Sequence, residues 1–312
     1  MKVTIRARRV ATARVSSVIL LTGASGTIGK ALLPLLLERG EEVRVLARDP
    51  RRLGRHRVEV RLALGDLADL GDRHLQRQAM RGVDVVIHLA ASIRDQPRAR
   101  VEELNGLATA RLLRAAEASG VKRFIFFSAL DASEFQRTRF FRAKALAERA
   151  VLRSPLATTV FAPSIVYDRD DPWVTLMRRL ALLPLLPISG PGEARFQPIW
   201  AHDVAPCVLK DLESEAGSHS RFELAGPETL TYEQMARTIA RASGRNRPVV
   251  HIPLGLVRQS LIWLRRLVGE AAFATWEEAE LMEVSMTTPR GSADVEKLGV
   301  TPQQMTRVLA AA

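Results

Sequence analysis

Glycines 23, 26 and 29 follow Thr22 at the spacing G-x-x-G-x-x-G. Glycine turns tightly and lets a backbone approach another group closely. Placed between an apolar strand and a helix, such a turn offers the helix's free N–H groups and positive dipole end to an anion. The anion it suits is the pyrophosphate of a dinucleotide. Gly23, Ser25, Gly26, Thr27, Ile28 and Gly29 are therefore assigned to cofactor binding. About 20 residues further on, where a dinucleotide fold meets the adenosine ribose, stands Arg48. An acidic residue there accepts from the ribose 2′-hydroxyl; a guanidinium suits a 2′-phosphate through charge-assisted bonds. Arg48 favours NADP(H) over NAD(H), whereas a one-residue shift would put Asp49 there and reverse the preference. Asp66 and Leu67 close the next strand, where a carboxylate accepts from the adenine amino group or caps a turn.

These residues need a scaffold that brings strand ends together. Residues 18–21 are a buried apolar strand, and residues 30–38 a helix. Strands follow at 42–47, 58–64, 83–91, 123–128 and 157–162, with helices at about 98–119 and 137–152. This alternation predicts an α/β fold, a Rossmann-like doubly wound parallel sheet. Right-handed crossovers put the glycine turn and the other strand ends on one edge. Leu89, Ala90 and Ala91 end the fourth strand with small side chains against which a cofactor lies. His88, inside that apolar run, reads as a core histidine.

Beyond Tyr167 the rhythm breaks. Residues 18–167 read as the dinucleotide-binding core and 168–312 as a smaller substrate or interaction lobe, with some return to the core. Asp203 reads as the N-cap of a helix from Val204, and Thr231 with Gln234 as a capping box. The net charge of +12 attracts anions. One cysteine, Cys207, excludes an internal disulfide, and the scattered histidines have no metal-ligand spacing, so no metal is expected. Residues 1–17 form a basic extension without an apolar core of signal-peptide length; no run approaches a membrane span. A cytoplasmic protein is expected, or one peripheral to the inner membrane. Residues 256–268 form an amphipathic helix with Trp263, Arg258, Arg265 and Arg266, compatible with an anionic membrane surface. No basic–aromatic interleaving points to nucleic acid.

Together, the glycine turn, Gly65-Asp66-Leu67, His88-Leu89-Ala90-Ala91, Asn105, Lys144, residues 163–167, Asp203-Val204-Ala205 and residues 298–302 resemble the extended short-chain dehydrogenase/reductase superfamily. With Arg48 and Phe196-Gln197-Pro198-Ile199, the chain is most similar to an atypical branch that includes the nucleotide-binding accessory subunit of respiratory complex I and its bacterial relatives. The resemblance implies firm NADPH binding, a protein complex as partner, and incomplete catalytic machinery. It adds Pro163, Ser164 and Ile165 to the cofactor-binding residues. The superfamily uses Tyr-x-x-x-Lys, with tyrosine as acid/base and lysine lowering its pKa and holding the nicotinamide ribose. Here Lys144 is present, but Phe140 stands four residues before it. Phenylalanine has no proton to exchange. The serine partner falls on Ser128, at the end of the fifth strand, and the best substitute acid is Tyr167. The resulting expectation is an NADP(H)-binding protein with weak or absent turnover, in a structural, regulatory or redox-sensing role. Two alternatives stand beside it: an oxidoreductase or epimerase with a non-standard acid, acting on a quinone, isoprenoid or sugar-like substrate, and a membrane-surface accessory module.

Overall fold

The structure is a computed structural model that describes residues 17–96, 99–214, 219–268 and 276–310, with the backbone alone for 262–268. The basic extension before residue 17 lies outside the described residues. The chain opens with β1 (Val18–Thr22), α1 (Thr27–Glu38), β2 (Glu42–Ala47), β3 (Arg61–Leu64), α2 (Arg73–Met80) and β4 (Val85–His88). It continues through α3 (Ala108–Ala118), β5 (Arg123–Phe127), α4 (Arg139–Leu152) and β6 (Ala157–Pro163). The strand expected to begin at Val58 begins at Arg61. Residues 50–58 instead form tight turns, started by Asp49, whose carboxylate accepts from the Arg51 N–H. That local bond competes with extended backbone. The helix expected over 98–119 is regular only from Ala108. Before it, residues 103–107 make a wide turn in which the Ala108 N–H reaches the Glu103 carbonyl.

The main sheet has seven strands, all paired in parallel, in the order β3–β2–β1–β4–β5–β6 and finally β11 (Ser220–Leu224). Order reverses between β1 and β4, where Thr22 is in register with His88. A crevice at such a reversal is where open α/β sheets bind ligands. β1, β4 and β5 are apolar runs buried on both faces, as parallel strands under two helix layers must be. One face packs α1 against Ile19, Leu21 and Val45; the other packs α2 and α3 against Leu20, Val86 and Phe124.

After β6 come β7 (Val166–Tyr167), α5 (Pro172–Leu180), β8 (Leu186–Ser189), β9 (Arg195–Phe196), β10 (Ile199–Trp200) and α6 (Ala201–Glu213). The part beyond residue 167 divides. α6 and β11 return to the first core through Val204, Val208 and Leu224. A buried ion pair, Arg123 Nη2 to Asp211 Oδ1 at 2.8 Å, ties α6 to β5. β12 (Leu230–Thr231), α7 (Tyr232–Ala242), β13 (Val249–Ile252), α8 (Leu254–Val268), α9 (Trp276–Leu281), α10 (Ala293–Lys297) and α11 (Met305–Ala310) complete the chain. α5, α7 and α11 share a second apolar core around Tyr167, Met235 and Met305. The Thr231–Gln234 capping box is present. Asp203 is not an N-cap: it lies inside the first turn of α6 and accepts from the Gln303 N–H at 2.8 Å, holding the C-terminal segment.

Candidate functional site

The glycine turn is built by contact between backbones. Gly23 has φ +76°, which favours glycine, and a Cβ on it would sit 2.6 Å from the Ala90 nitrogen. A Cβ on Gly29 would sit 2.4 Å from the Gly23 carbonyl oxygen. Glycine is therefore required at both positions: at the first by conformation and space, at the second by space. Gly26 is the N-cap of α1, no side chain caps that helix, and its first turn carries no acidic residue. Thr27, Ile28 and Gly29 thus stand at a helix start whose N–H groups are left to a ligand.

A cleft of about 510 Å³ opens beside this turn. Its floor is Gly23, Ser25 and Gly26, one wall is Arg48, Asp66 and Leu67, and the other is Leu89, Ala90 and Ala91. These sequence-assigned residues, distant in the chain, are brought together. Arg48 Nη1 lies 3.5 Å from Asp66 Oδ2 in a half-exposed pair. Asp66 also accepts from the Ala68 N–H, so the carboxylate both caps a turn and faces the cleft. Asp49 borders the cleft too, but its oxygens accept from Arg51 Nε and Nη2, and that bond holds its pKa below the usual range. The cradle at the glycines and the open helix start fit the pyrophosphate of a nicotinamide dinucleotide.

Arg52, Ser92 and Gln96 also line the cleft. Arg52 belongs to the basic run 48–52; the other two carry no motif. The far wall is held by Asn105, in the wide turn before α3. Its Nδ2 donates to the Ser92 and Val101 carbonyls, and its Oδ1 accepts from the Ser92 N–H. Behind the wall, Thr109 Oγ1 donates to the Asn105 carbonyl and so accepts from His88 Nε2. His88 Nδ1 then accepts from Thr22 Oγ1, at 2.7 Å. Burial, with Lys144 nearby, pushes the His88 pKa down to about 3, which favours the neutral imidazole that these bonds suit. His88 is a satisfied core residue that joins the glycine turn to the opposite wall.

The expected catalytic residues lie elsewhere. Lys144 is 2% exposed and does not line the cleft; its Nζ donates to the Phe127 carbonyl at 2.6 Å and stands 4.9 Å from the centre of the Phe126 ring. Burial pushes its pKa down to about 7. Phe140, one turn earlier, packs with Ala129, Phe141, Leu281 and Val284. Ser128 Oγ is buried without a hydrogen-bond partner among the described residues. Tyr167, the expected substitute acid, is fully buried with its hydroxyl unpartnered among the described residues, and burial raises its pKa. Tyr167 packs in the second apolar core with Val174, Met177 and Met235.

Pro163, Ser164 and Ile165, like Thr27, Ile28 and Gly29, are not among the residues that line this cleft. Their main-chain groups serve the fold: Leu130 N donates to Pro163 O, Ser164 N to Leu224 O, and Ile199 N to Ile165 O. Ser164 Oγ donates to the Met286 carbonyl at 2.7 Å. Residues 284–288 form a strap over this end of the sheet. Gln197 exchanges two amide bonds with Thr288, and Met286 packs on Leu130, Ala162 and Ala225. The strap carries no motif visible in the sequence. Among the described residues, no group of acidic, histidine or cysteine side chains could hold a metal ion, and no helix is long and apolar enough to cross a membrane.

A model of the NAD(P)H-binding family matches residues 23–182, just over half of the chain. Among relatives, the mitochondrial NADH dehydrogenase (ubiquinone) 1 alpha subcomplex subunit 9 of Arabidopsis thaliana is 31% identical over 224 residues, covering 69% of this chain and 55% of that protein. The subunit of the same name from Dictyostelium discoideum is 26% identical over 291 residues, covering 89% of this chain and 79% of the relative. This chain therefore spans about half the length of the first relative. Among solved structures, Thermus thermophilus UDP-glucose 4-epimerase in complex with NAD superposes with a TM-score of 0.69 at 19% identity, covering 94% of this chain and 96% of that one, a likeness of fold. The chain belongs to the NAD(P)H-binding family.

Proposed function

We propose that this protein binds NADP(H) in the cleft beside the glycine turn and turns it over weakly or not at all. Gly23, Ser25, Gly26 and the helix start at Thr27–Gly29 would hold the pyrophosphate, Arg48 the 2′-phosphate, Asp66 and Leu67 the adenine, and Leu89–Ala91 the wall against which the cofactor lies. The observation that carries the preference for NADP(H) is Arg48 on the cleft, its guanidinium half-exposed and paired, among the described residues, with Asp66 alone, while Asp49 is bound by Arg51. A bound nicotinamide dinucleotide supplies a hydride donor or acceptor. What this chain lacks beside it is a proton donor: Phe140 stands where the resemblance expects tyrosine, and Lys144 and Ser128 are buried. Losing a positioned acid/base group typically slows such reactions by about 10²–10⁴. The role is then structural, regulatory or redox-sensing. The likeness to subunits of mitochondrial NADH dehydrogenase supports an accessory place in a larger respiratory assembly.

The nucleotide released on denaturing the purified protein tests the reading: NADP(H) is expected, and NAD(H) overturns the assigned preference. Phe140→Tyr, assayed for NADPH oxidation with a panel of carbonyl acceptors, tests the second half. The expected gain is under about ten-fold, because a single hydroxyl restores neither the lysine nor the serine to the site. Rapid oxidation by the unmodified protein overturns it.

A further inference from the structure

We propose that the turn at residues 182–185 docks this protein on an anionic lipid bilayer. The turn joins α5 to β8 and reads Leu-Leu-Pro-Leu; Leu182, Leu183 and Leu185 are 59%, 47% and 48% exposed. Three neighbouring leucines held half in water are costly unless something covers them. Hydrogen bonding gives the turn a fixed shape, with Leu182 N and Leu183 N donating to the carbonyls of Arg179 and Leu180. It is also tied to its neighbour strand: Leu186 N donates to the Pro248 carbonyl, and Arg247 Nε to the Ala181 carbonyl.

Charge selects the occupant. Residues 172–192 and 234–269, which β8 and β13 join in parallel register, contain no aspartate or glutamate. Their charged residues are arginines, including Arg178, Arg179, Arg241, Arg245 and Arg247. Arg178 has only a distant partner, Asp170, at 3.9 Å; Arg179, Arg241, Arg245 and Arg247 have no carboxylate partner among the described residues. Apolar side chains flanked by cations of one sign match a bilayer interface, with leucines entering the acyl boundary and arginines at the phosphates. The surface is distinct from the nucleotide cleft, so the proposal stands independently of cofactor identity.

Flotation with vesicles of phosphatidylcholine containing phosphatidylglycerol, against phosphatidylcholine alone, tests this on the full chain. Binding to the anionic vesicles only is expected, weakening as salt rises. Leu183→Glu/Leu185→Glu should abolish it, and Arg179→Gln and Arg247→Gln should each weaken it about five-fold. These positions are away from the cleft, so nucleotide binding serves as the control for folding. Binding to neutral vesicles with equal strength, no binding, or binding unaffected by the leucine variants overturns the proposal. So does sedimentation showing a dimer that the leucine variants dissolve, which would make the turn a contact between copies.

Discussion

At the glycine-turn end of the sheet edge, backbone does the work: Gly23 and Gly29 let main chains touch, a helix start lies open, and Arg48 with Asp66 line a cleft of about 510 Å³. At the other end side chains would have to do it, and there Phe140, Phe141, Leu281 and Val284 pack together, Met286 covers Leu130 and Ala162, and Lys144 is withdrawn to the Phe127 carbonyl. The two ends share a sheet and differ in what they ask of it. Anion binding needs only N–H groups and space, which the strand–turn–helix geometry supplies. Proton transfer needs a titratable group in contact with substrate. The aromatic and apolar residues at that end seal the one amine present away from solvent.

The contrast is broken most severely by Gly29→Val. Its side chain would have to enter space held by the Gly23 carbonyl and Ala24, so the turn must open. Loss of at least about 100-fold in NADPH affinity is expected by fluorescence titration, with a lowered melting temperature. Unchanged affinity would mean the turn is not the phosphate cradle.

Lys144→Met probes the sealed end. The lysine has a native pKa near 7 against 10.5 for the free side chain. Below pH 7 both folded and unfolded chains hold the proton, and the burial penalty is fully present. Between pH 7 and pH 10.5 the unfolded chain holds more protons, so stability rises with pH through that window. The native protein should therefore gain on the order of 3 kcal/mol relative to Lys144→Met between pH 7 and pH 9.5, read from denaturant unfolding. Parallel pH profiles would show that the amine is solvated, and the two ends would then be alike.

Arg48→Gln sharpens the comparison at the open end with the smallest disturbance. Removing charge-assisted bonds to a phosphate should weaken NADPH binding by roughly 10- to 100-fold and leave NADH within about three-fold. Equal losses for both nucleotides would move the residue from the 2′-phosphate to general electrostatics.

Much of the open end was legible because its signals are local. Glycine spacing, the apolar run before it and the arginine after it follow from what one strand–turn–helix unit requires. The Asp66 reading held two options, cap or adenine acceptor, and the fold leaves the carboxylate able to do both. Misreadings fell where bonds across the chain compete with local pattern. Asp203 looks like a cap but is claimed by Gln303, far along the chain. The strap at 284–288 carried no signal, since the Gln197–Thr288 exchange joins residues far apart in sequence.

The amino-acid sequence alone determined the alternation of strands and helices, the glycine turn, Arg48 at the second strand end and a phenylalanine at position 140, because periodicity and residue chemistry are properties of short segments. Only the tertiary structure decided that Lys144 faces inward and His88 is a neutral link between Thr22 and Thr109. It also decided that a late strap closes one end of the strand edge while the other stays open. Burial and hydrogen-bond partners depend on which distant segments meet, so that half of the answer waits for the fold.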